Sequence, residues 1–224
     1  MNIENCTCVF KLLPGIQRFS SENFLKIARN GINTEYNPKR FHSIIMRIRH
    51  ENNRTTAALI FQSGKVVMTG VPNIKSARTM AARVSKRLKA MIRASNIIQL
   101  CEIRIINLRI TNIVGSYRHK NRVAIESIYM HFKQFQQQQK RGQVRKAENR
   151  QSKELFKRII SVIYDPTIFP ALRIKIKNEG IKREASCLIY ISGQVIATGV
   201  MCNTQMKHLF DNIILPLLLN FPRL

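Results

Sequence analysis

Leu59-Ile60-Phe61-Gln62-Ser63-Gly64-Lys65-Val66-Val67-Met68-Thr69-Gly70 decides the fold, because the chain carries the same phrase twice. The second version is Leu188-Ile189-Tyr190-Ile191-Ser192-Gly193-Gln194-Val195-Ile196-Ala197-Thr198-Gly199. Outward from it, Tyr36-Asn37-Pro38 and Phe41 recur as Tyr164-Asp165-Pro166 and Phe169, 128 residues on. Asn5-Cys6-Thr7 recurs as Asn112-Ile113-Val114 at an offset of only 107, so the second copy holds an insertion after its opening strand. Two copies fall short of the three or more stacked units of a solenoid. They fit a pseudo-symmetric pair sharing one sheet, divided at residues 1–98 and 99–224.

Each copy has the same coarse layout. It opens on a strand, Cys6–Leu12 or Ile103–Val114, and the first copy follows with a short helix over Ser21–Ala28, capped by Ser20 or Ser21. Ile44–Arg49, Thr55–Phe61 and Val66–Gly70 read as strands, with a hairpin turn at Ser63-Gly64. A long helix closes each copy, Ile74–Ile92 in the first and roughly Thr204–Leu219 in the second. In the first, Ala77, Met80, Ala81, Val84, Leu88 and Met91 recur at spacings of three and four and form one apolar stripe. The insertion, at about 134–160, is basic and rich in glutamine; from Gln134 to Lys153 it has almost no apolar residues and reads as a mobile or weakly helical excursion.

The strands are apolar on both faces. Leu59 and Phe61 point one way, Ala58 and Ile60 the other; Val67 and Thr69 share a face opposite Val66 and Met68. Helices of this number cover one face only, so the Leu/Phe/Val/Thr face needs a second layer, a partner copy or a ligand. Charge favours the ligand. Thirty-eight Lys and Arg against twelve Asp and Glu give +26 over 224 residues, which suits a polyanion, nucleic acid before an anionic membrane.

Other classes find little support. The five cysteines form no CxxC pair or even disulfide framework and read as core residues of a reducing compartment. The start, with Asn2, Glu4 and Asn5, does not read as a secretory signal, and the apolar run Ile213–Leu219 is too short to span a bilayer. His42, His50, His119, His131 and His208 show no metal-ligand spacing, and neither a P-loop nor a nucleophile elbow is present. No metal, cofactor or enzymatic activity is expected.

A face of Val, Leu and Thr with one Asn per half has few groups for the hydrogen-bond code of the major groove. It suits the minor groove, where A·T pairs present acceptors only and a G·C pair would push an amine into apolar surface. Phenylalanines at strand ends can wedge between base steps and kink the duplex. Phe41, Phe61 and Phe169 taken singly would be core residues, but they stand at matched positions of both copies.

These residues resemble a known family. Glu35-Tyr36-Asn37-Pro38-Lys39-Arg40-Phe41, Ile45-Met46-Arg47-Ile48-Arg49, Arg54-Thr55-Thr56-Ala57, Ser63-Gly64-Lys65, Asn112 with Val114-Gly115-Ser116, and Phe169-Pro170 are similar to the core of the TATA-box-binding protein family. That family is itself the standard instance of wedge insertion in the minor groove, so the groove chemistry and the resemblance are not independent. The resemblance implies an α+β saddle, a curved antiparallel sheet of about ten strands with four helices on its convex side and DNA against the other. It makes Phe41 with Phe61, and Phe169 with Tyr190, the wedge pairs; Asn5 and Asn112 the central donors; Thr69 and Thr198 the central threonines. Thr7, Val114, Val67, Ile196, Leu59 and Leu188 become the apolar lining, and Arg40, Arg47, Arg54, Lys65 and Lys175 the phosphate contacts.

The implied function is a nuclear general transcription initiation factor that bends TATA-like promoter DNA and nucleates a preinitiation complex. Its implied partners are promoter DNA, factors like transcription factors IIA and IIB, and polymerase-associated factors, with self-association when DNA is absent. Departures from the family pattern are Tyr190 for phenylalanine, His42, Thr7, a longer loop between Arg49 and Arg54, a thinned acidic stirrup at Asp165-Pro166-Thr167, Gln194, Pro72 and Met201. They keep two alternatives open: a diverged paralogue that is mainly a protein-interaction platform, and a basic RNA-binding protein.

Overall fold

The computed structural model describes residues 1–12, 18–50, 54–97, 103–141, 150–177 and 184–221. Its elements run β1 (Asn2–Lys11), α1 (Ser21–Arg29), β2 (Thr34–Asn37), β3 (Phe41–Arg49), β4 (Thr55–Phe61), β5 (Lys65–Val71), α2 (Ser76–Ala94) and β6 (Ile106–Arg118). They continue with α3 (Ile125–Lys140), α4 (Arg150–Lys157), β7 (Ile159–Asp165), β8 (Phe169–Lys177), β9 (Glu184–Tyr190), β10 (Gln194–Val200), α5 (Asn203–Leu209) and α6 (Leu215–Asn220). The chain forms two compact units, Glu4–Asn112, and Ile113–Leu224 with Met1–Ile3. In the first the strands lie in the order β2-β3-β4-β5-β1, and in the second β7-β8-β9-β10-β6. Every pairing within these runs is antiparallel, and the two orders are the same once the copies are matched. The α+β class expected from the sequence is the class the chain adopts.

Alternation builds each unit. On β4 Thr56, Ala58 and Ile60 are buried, while Ala57, Leu59 and Phe61 are half-buried; on β5 Val66 and Met68 are buried while Val67 and Thr69 are not. The buried sets pack with the α2 stripe Ala77, Met80, Ala81, Val84, Leu88 and Met91, all of it buried as the spacing predicts. Each large apolar side chain so removed from water contributes roughly 1.5–3 kcal/mol. Helix α1 starts where Ser20 caps it, its hydroxyl accepting from the Asn23 N–H at 3.2 Å.

The second closing helix differs from the continuous one the sequence suggests. A π-helical stretch, Phe210–Ile214, separates α5 from α6. Pro216 stands in the first turn of α6; it has no N–H, and its ring would collide with the carbonyl of Asn212 in a regular helix, so the turn widens. The apolar stripe survives, with Leu209, Ile213, Ile214, Leu217 and Leu218 buried. Among the described residues no helix is long and apolar enough to cross a membrane.

The described parts of the insertion are mainly helical, and residues 142–149 lie outside the described residues. The glutamines continue α3 to Lys140, and, with α5 to α6 taken as one closing helix, α4 is a fifth helix among the described residues where four were expected. Phe132 and Phe135 of α3 and Leu155 and Phe156 of α4 are all buried, with Phe156 5.7 Å from each of the two phenylalanine rings. Polar composition was a poor guide here because two aromatics on one helical face suffice to dock a short helix.

A matched irregularity marks the inner strand of each unit. The β1–β5 register shifts between Cys6 and Cys8, and the β6–β10 register shifts between Ala197 and Val200, so both β-bulges fall at a Thr-Gly pair. Gly70 and Gly199 have φ of +80° and +95°, and a Cβ there would lie 2.4 Å from the Thr55 carbonyl oxygen or 2.7 Å from that of Glu184. Only glycine fits both the angle and the approach.

Candidate nucleic-acid interface

The face left free of helices in each unit is built in cross-strand rows. In the first unit Ile45, Leu59, Val67 and Val9 stand opposite one another across β3, β4, β5 and β1, and Arg47, Ala57 and Thr69 form the next row. In the second, Arg173, Leu188, Ile196 and Ser116 form the matching row, with Lys175, Ser186 and Thr198 beside it. Leu59, Val67, Leu188 and Ile196 therefore share a face with Thr69 and Thr198 in their own units, all half-buried. Thr7 and Val114 are half-buried on β1 and β6.

The aromatic pairs form in both units. Phe41 and Phe61 stack edge-to-face with ring centroids 6.1 Å apart, and Phe169 and Tyr190 are tilted at 6.2 Å. Phe41 is 45% exposed, a large cost in water for an aromatic ring unless something covers it. His42, its neighbour, is exposed.

Asn5 has a role that sequence reasoning missed. Its Oδ1 accepts the Gly70 N–H at 2.7 Å, and its Nδ2 donates to the Thr69 hydroxyl at 3.2 Å. The amide thus pairs a backbone donor at the β-bulge and fixes its own plane. An amide carries two N–H donors, and Thr69 takes one of them. Asn112 is half-buried on β6, one residue before the Ile113 that pairs with Val200.

The cations are divided. Arg47 is bonded to Glu35 at 3.2 Å, Arg54 lies 3.7 Å from Glu4, and Lys175 is 3.2 Å from Glu184. All six side chains remain about half exposed, where such pairs are worth at most about 1 kcal/mol. A phosphate can replace the carboxylate at little cost. Lys65 is exposed at the start of β5 and Arg40 in the turn before β3. The loop between Arg49 and Arg54 lies partly outside the described residues. In the second proline turn, Thr167 donates its hydroxyl to Asp165 at 2.6 Å and its N–H at 3.1 Å, which holds the Asp165 carboxyl below the usual carboxylate range.

Ser43 is a second feature no motif announced. It stands opposite Phe61 in the β3–β4 register, is buried, and its hydroxyl has no hydrogen-bond partner among the described residues. Ala171 occupies the matching place opposite Tyr190. An unpaired buried hydroxyl costs about 1–3 kcal/mol, so Ser43→Ala should raise the stability of the protein by about 1 kcal/mol. The midpoint of urea unfolding reads this directly; a lower midpoint would mean that the hydroxyl is bonded after all.

Two antiparallel five-strand runs of one topology, each with an aromatic pair and a matching cross-strand row on its helix-free face, define a duplicated α+β protein. The chain matches the family model described as "Transcription factor TFIID (or TATA-binding protein, TBP)" over residues 1–91 and 153–221, and it belongs to that family. It is 33% identical to the TATA box-binding protein-like 2 of Mus musculus over 201 residues, which are 88% of this chain and 45% of that protein. It is 29% identical to the TATA-box-binding protein of Bombyx mori over 219 residues, 95% of this chain and 58% of that one. The chain thus spans about half the length of these relatives. A solved structure, Methanococcus jannaschii TBP, superposes with a TM-score of 0.65 at 21% identity, covering 98% of both chains, and bears out the fold. Membership in a family of transcription factors also bears out the expectation that the chain is not an enzyme. The family match omits residues 92–152, so Asn112 and Val114 owe their place in the candidate site to β6 and its pairing with β10.

Proposed function

We propose that this protein is a transcription initiation factor that binds A·T-rich promoter DNA through the minor groove, bends it, and serves as a platform for preinitiation-complex assembly. The observation that carries the reading is the matched pair of aromatic rings in each unit, beside Leu59 and Val67 in the first and Leu188 and Ile196 in the second. Rings left partly open at strand ends, Phe41 most of all, are costly in water and well suited to a base step. Asn5, Asn112, Thr69 and Thr198 would supply the few polar groups, Thr7, Val114, Leu59, Leu188, Val67 and Ile196 the lining, and Arg40, Arg47, Arg54, Lys65 and Lys175 the phosphate contacts. The charge of +26 supplies the non-specific attraction, which weakens as salt rises. Factors of the IIA and IIB type would dock on the proline turns, and the protein would act in the nucleus.

Gel-shift titration on duplexes that differ only in an A·T-rich or G·C-rich centre tests the reading. Tighter binding to the A·T-rich duplex is expected; equal affinity for both sinks it. The protein-platform alternative draws support from one feature, the exposed Ile160, Ile163 and Ile168 on β7 and the turn after it. If that reading holds, the duplex preference disappears while partner binding survives.

A further inference from the structure

The two units differ at one row of the helix-free face, and the difference points to a residue that reads DNA. In the first unit the row runs from Glu35 at the edge to Ile45 and Leu59. In the second the matched row runs from Ile163 at the edge to Arg173 and Leu188. The edge acid has become an isoleucine, and the inner isoleucine has become an arginine. The Arg173 guanidinium does not turn away from the face; its carbon lies 5.2 Å from the centre of the Phe169 ring. That is the arrangement of a cation on an aromatic face.

We infer that Arg173 is a specificity-determining residue of the second unit, donating to base-edge acceptors at the step next to the one opened by Phe169 and Tyr190. The inference rests on the duplex-binding reading above. A guanidinium is planar, carries five N–H donors and no acceptor, and travels with the ring on which it stacks. Its cross-strand neighbours, Ile163 and Leu188, are apolar. When a ligand covers this face the cation loses water, at a cost that only acceptors on the ligand can offset. The minor-groove edge of an A·T pair offers acceptors alone, whereas a G·C pair adds an amine donor. Phosphate binding is better served by Lys175, two residues further along β8, and by Lys177 beyond it, both exposed.

The test measures Kd by fluorescence anisotropy on a panel in which each position of one A·T-rich duplex is changed to G·C in turn. The parent protein, Arg173→Ile and Arg173→Lys are compared at one salt concentration. The parent is expected to lose about tenfold or more at one step close to one end. Arg173→Ile should nearly abolish that penalty and leave the others unchanged. Arg173→Lys, which keeps the charge but not the planar fork, should behave as Arg173→Ile does. The side chain is exposed, so both variants should melt with the parent. A uniform loss across the panel in Arg173→Ile, restored by Arg173→Lys, would make this a phosphate contact and overturn the inference. Identical Kd values for parent and variants would overturn it too, leaving the duplex reading intact. A parent that binds no duplex would bring down both.

Discussion

Replacing Phe41 and Phe169 together by alanine is expected to abolish DNA bending and to weaken duplex binding by about a hundredfold or more. Each ring is the outer member of an aromatic pair, 6.1 or 6.2 Å from Phe61 or Tyr190. Phe41 is 45% exposed, so its truncation leaves little cavity and the fold should survive. The loss falls on binding instead. Unstacking a base step costs a few kcal/mol, which an inserted ring offsets by filling the gap it opens. Truncation of a central aromatic anchor typically costs about 2 kcal/mol or more, so two anchors at opposite kinks account for the expected factor. Fluorescence transfer between dyes at the duplex ends should rise on binding the parent and stay at the free-duplex value with the double variant at saturating protein. Transfer raised as far by the double variant as by the parent would refute the wedge assignment. Intact binding of structured RNA by the same variant would favour the RNA-binding alternative.

The parts of the fold legible in the sequence were those written in periodicity and repetition. Alternation on β4 and β5 separated Ala58 and Ile60 from Leu59 and Phe61, and the three-four spacing of α2 named its buried stripe residue by residue. Those signals are local, and packing obeyed them. What stayed hidden depended on partners far along the chain. The bond from Gly70 to Asn5 joins residues 65 apart and exists because a β-bulge frees that N–H, an event no local pattern announces. The carboxylate beside Arg54, on Glu4, is also distant, whereas those beside Arg47 and Lys175 come from neighbouring strands and depend on the pairing register. Arg173 is a different case. Its signal was present, since Ile45 and Arg173 stand at the same offset as Phe41 and Phe169. Matching motifs rather than every strand position passed over it.

The unevenness between the copies therefore has a physical form. The first unit keeps an acid at the sheet edge and an aliphatic row inside it; the second keeps an aliphatic edge and a stacked cation inside. Tyr190 adds a hydroxyl to the second aromatic pair, and Gln194 removes a positive charge from the second hairpin relative to Lys65. If the protein binds a duplex as proposed, the stacked cation and the added hydroxyl make the contacts of the second unit differ from those of the first. Such a difference can orient a pseudo-symmetric protein on DNA without any contact in the major groove.

Phe156→Ala is expected to remove about 3–5 kcal/mol from the stability of the unit that contains it. Composition alone makes the insertion a solvated excursion, and a truncation in such a segment would cost almost nothing. The structure gives Phe156 three ring neighbours: Phe132 and Phe135 at 5.7 Å and Phe221 at 6.4 Å. It is 4% exposed, and Leu155 beside it is also buried. Truncating a phenylalanine in such a site forfeits its burial and leaves a cavity that its rigid aromatic neighbours cannot close. Against a total of about 5–15 kcal/mol for a typical domain, that loss is a large fraction. Urea unfolding should show a lower midpoint, and amide exchange should accelerate in α3 and β7, which frame α4. Gln137→Ala, an exposed change on the same α3, should stay within about 0.5 kcal/mol of the parent. A Phe156→Ala midpoint indistinguishable from that of Gln137→Ala would mean that α4 does not dock, and the insertion would revert to the solvated arm its glutamines suggest.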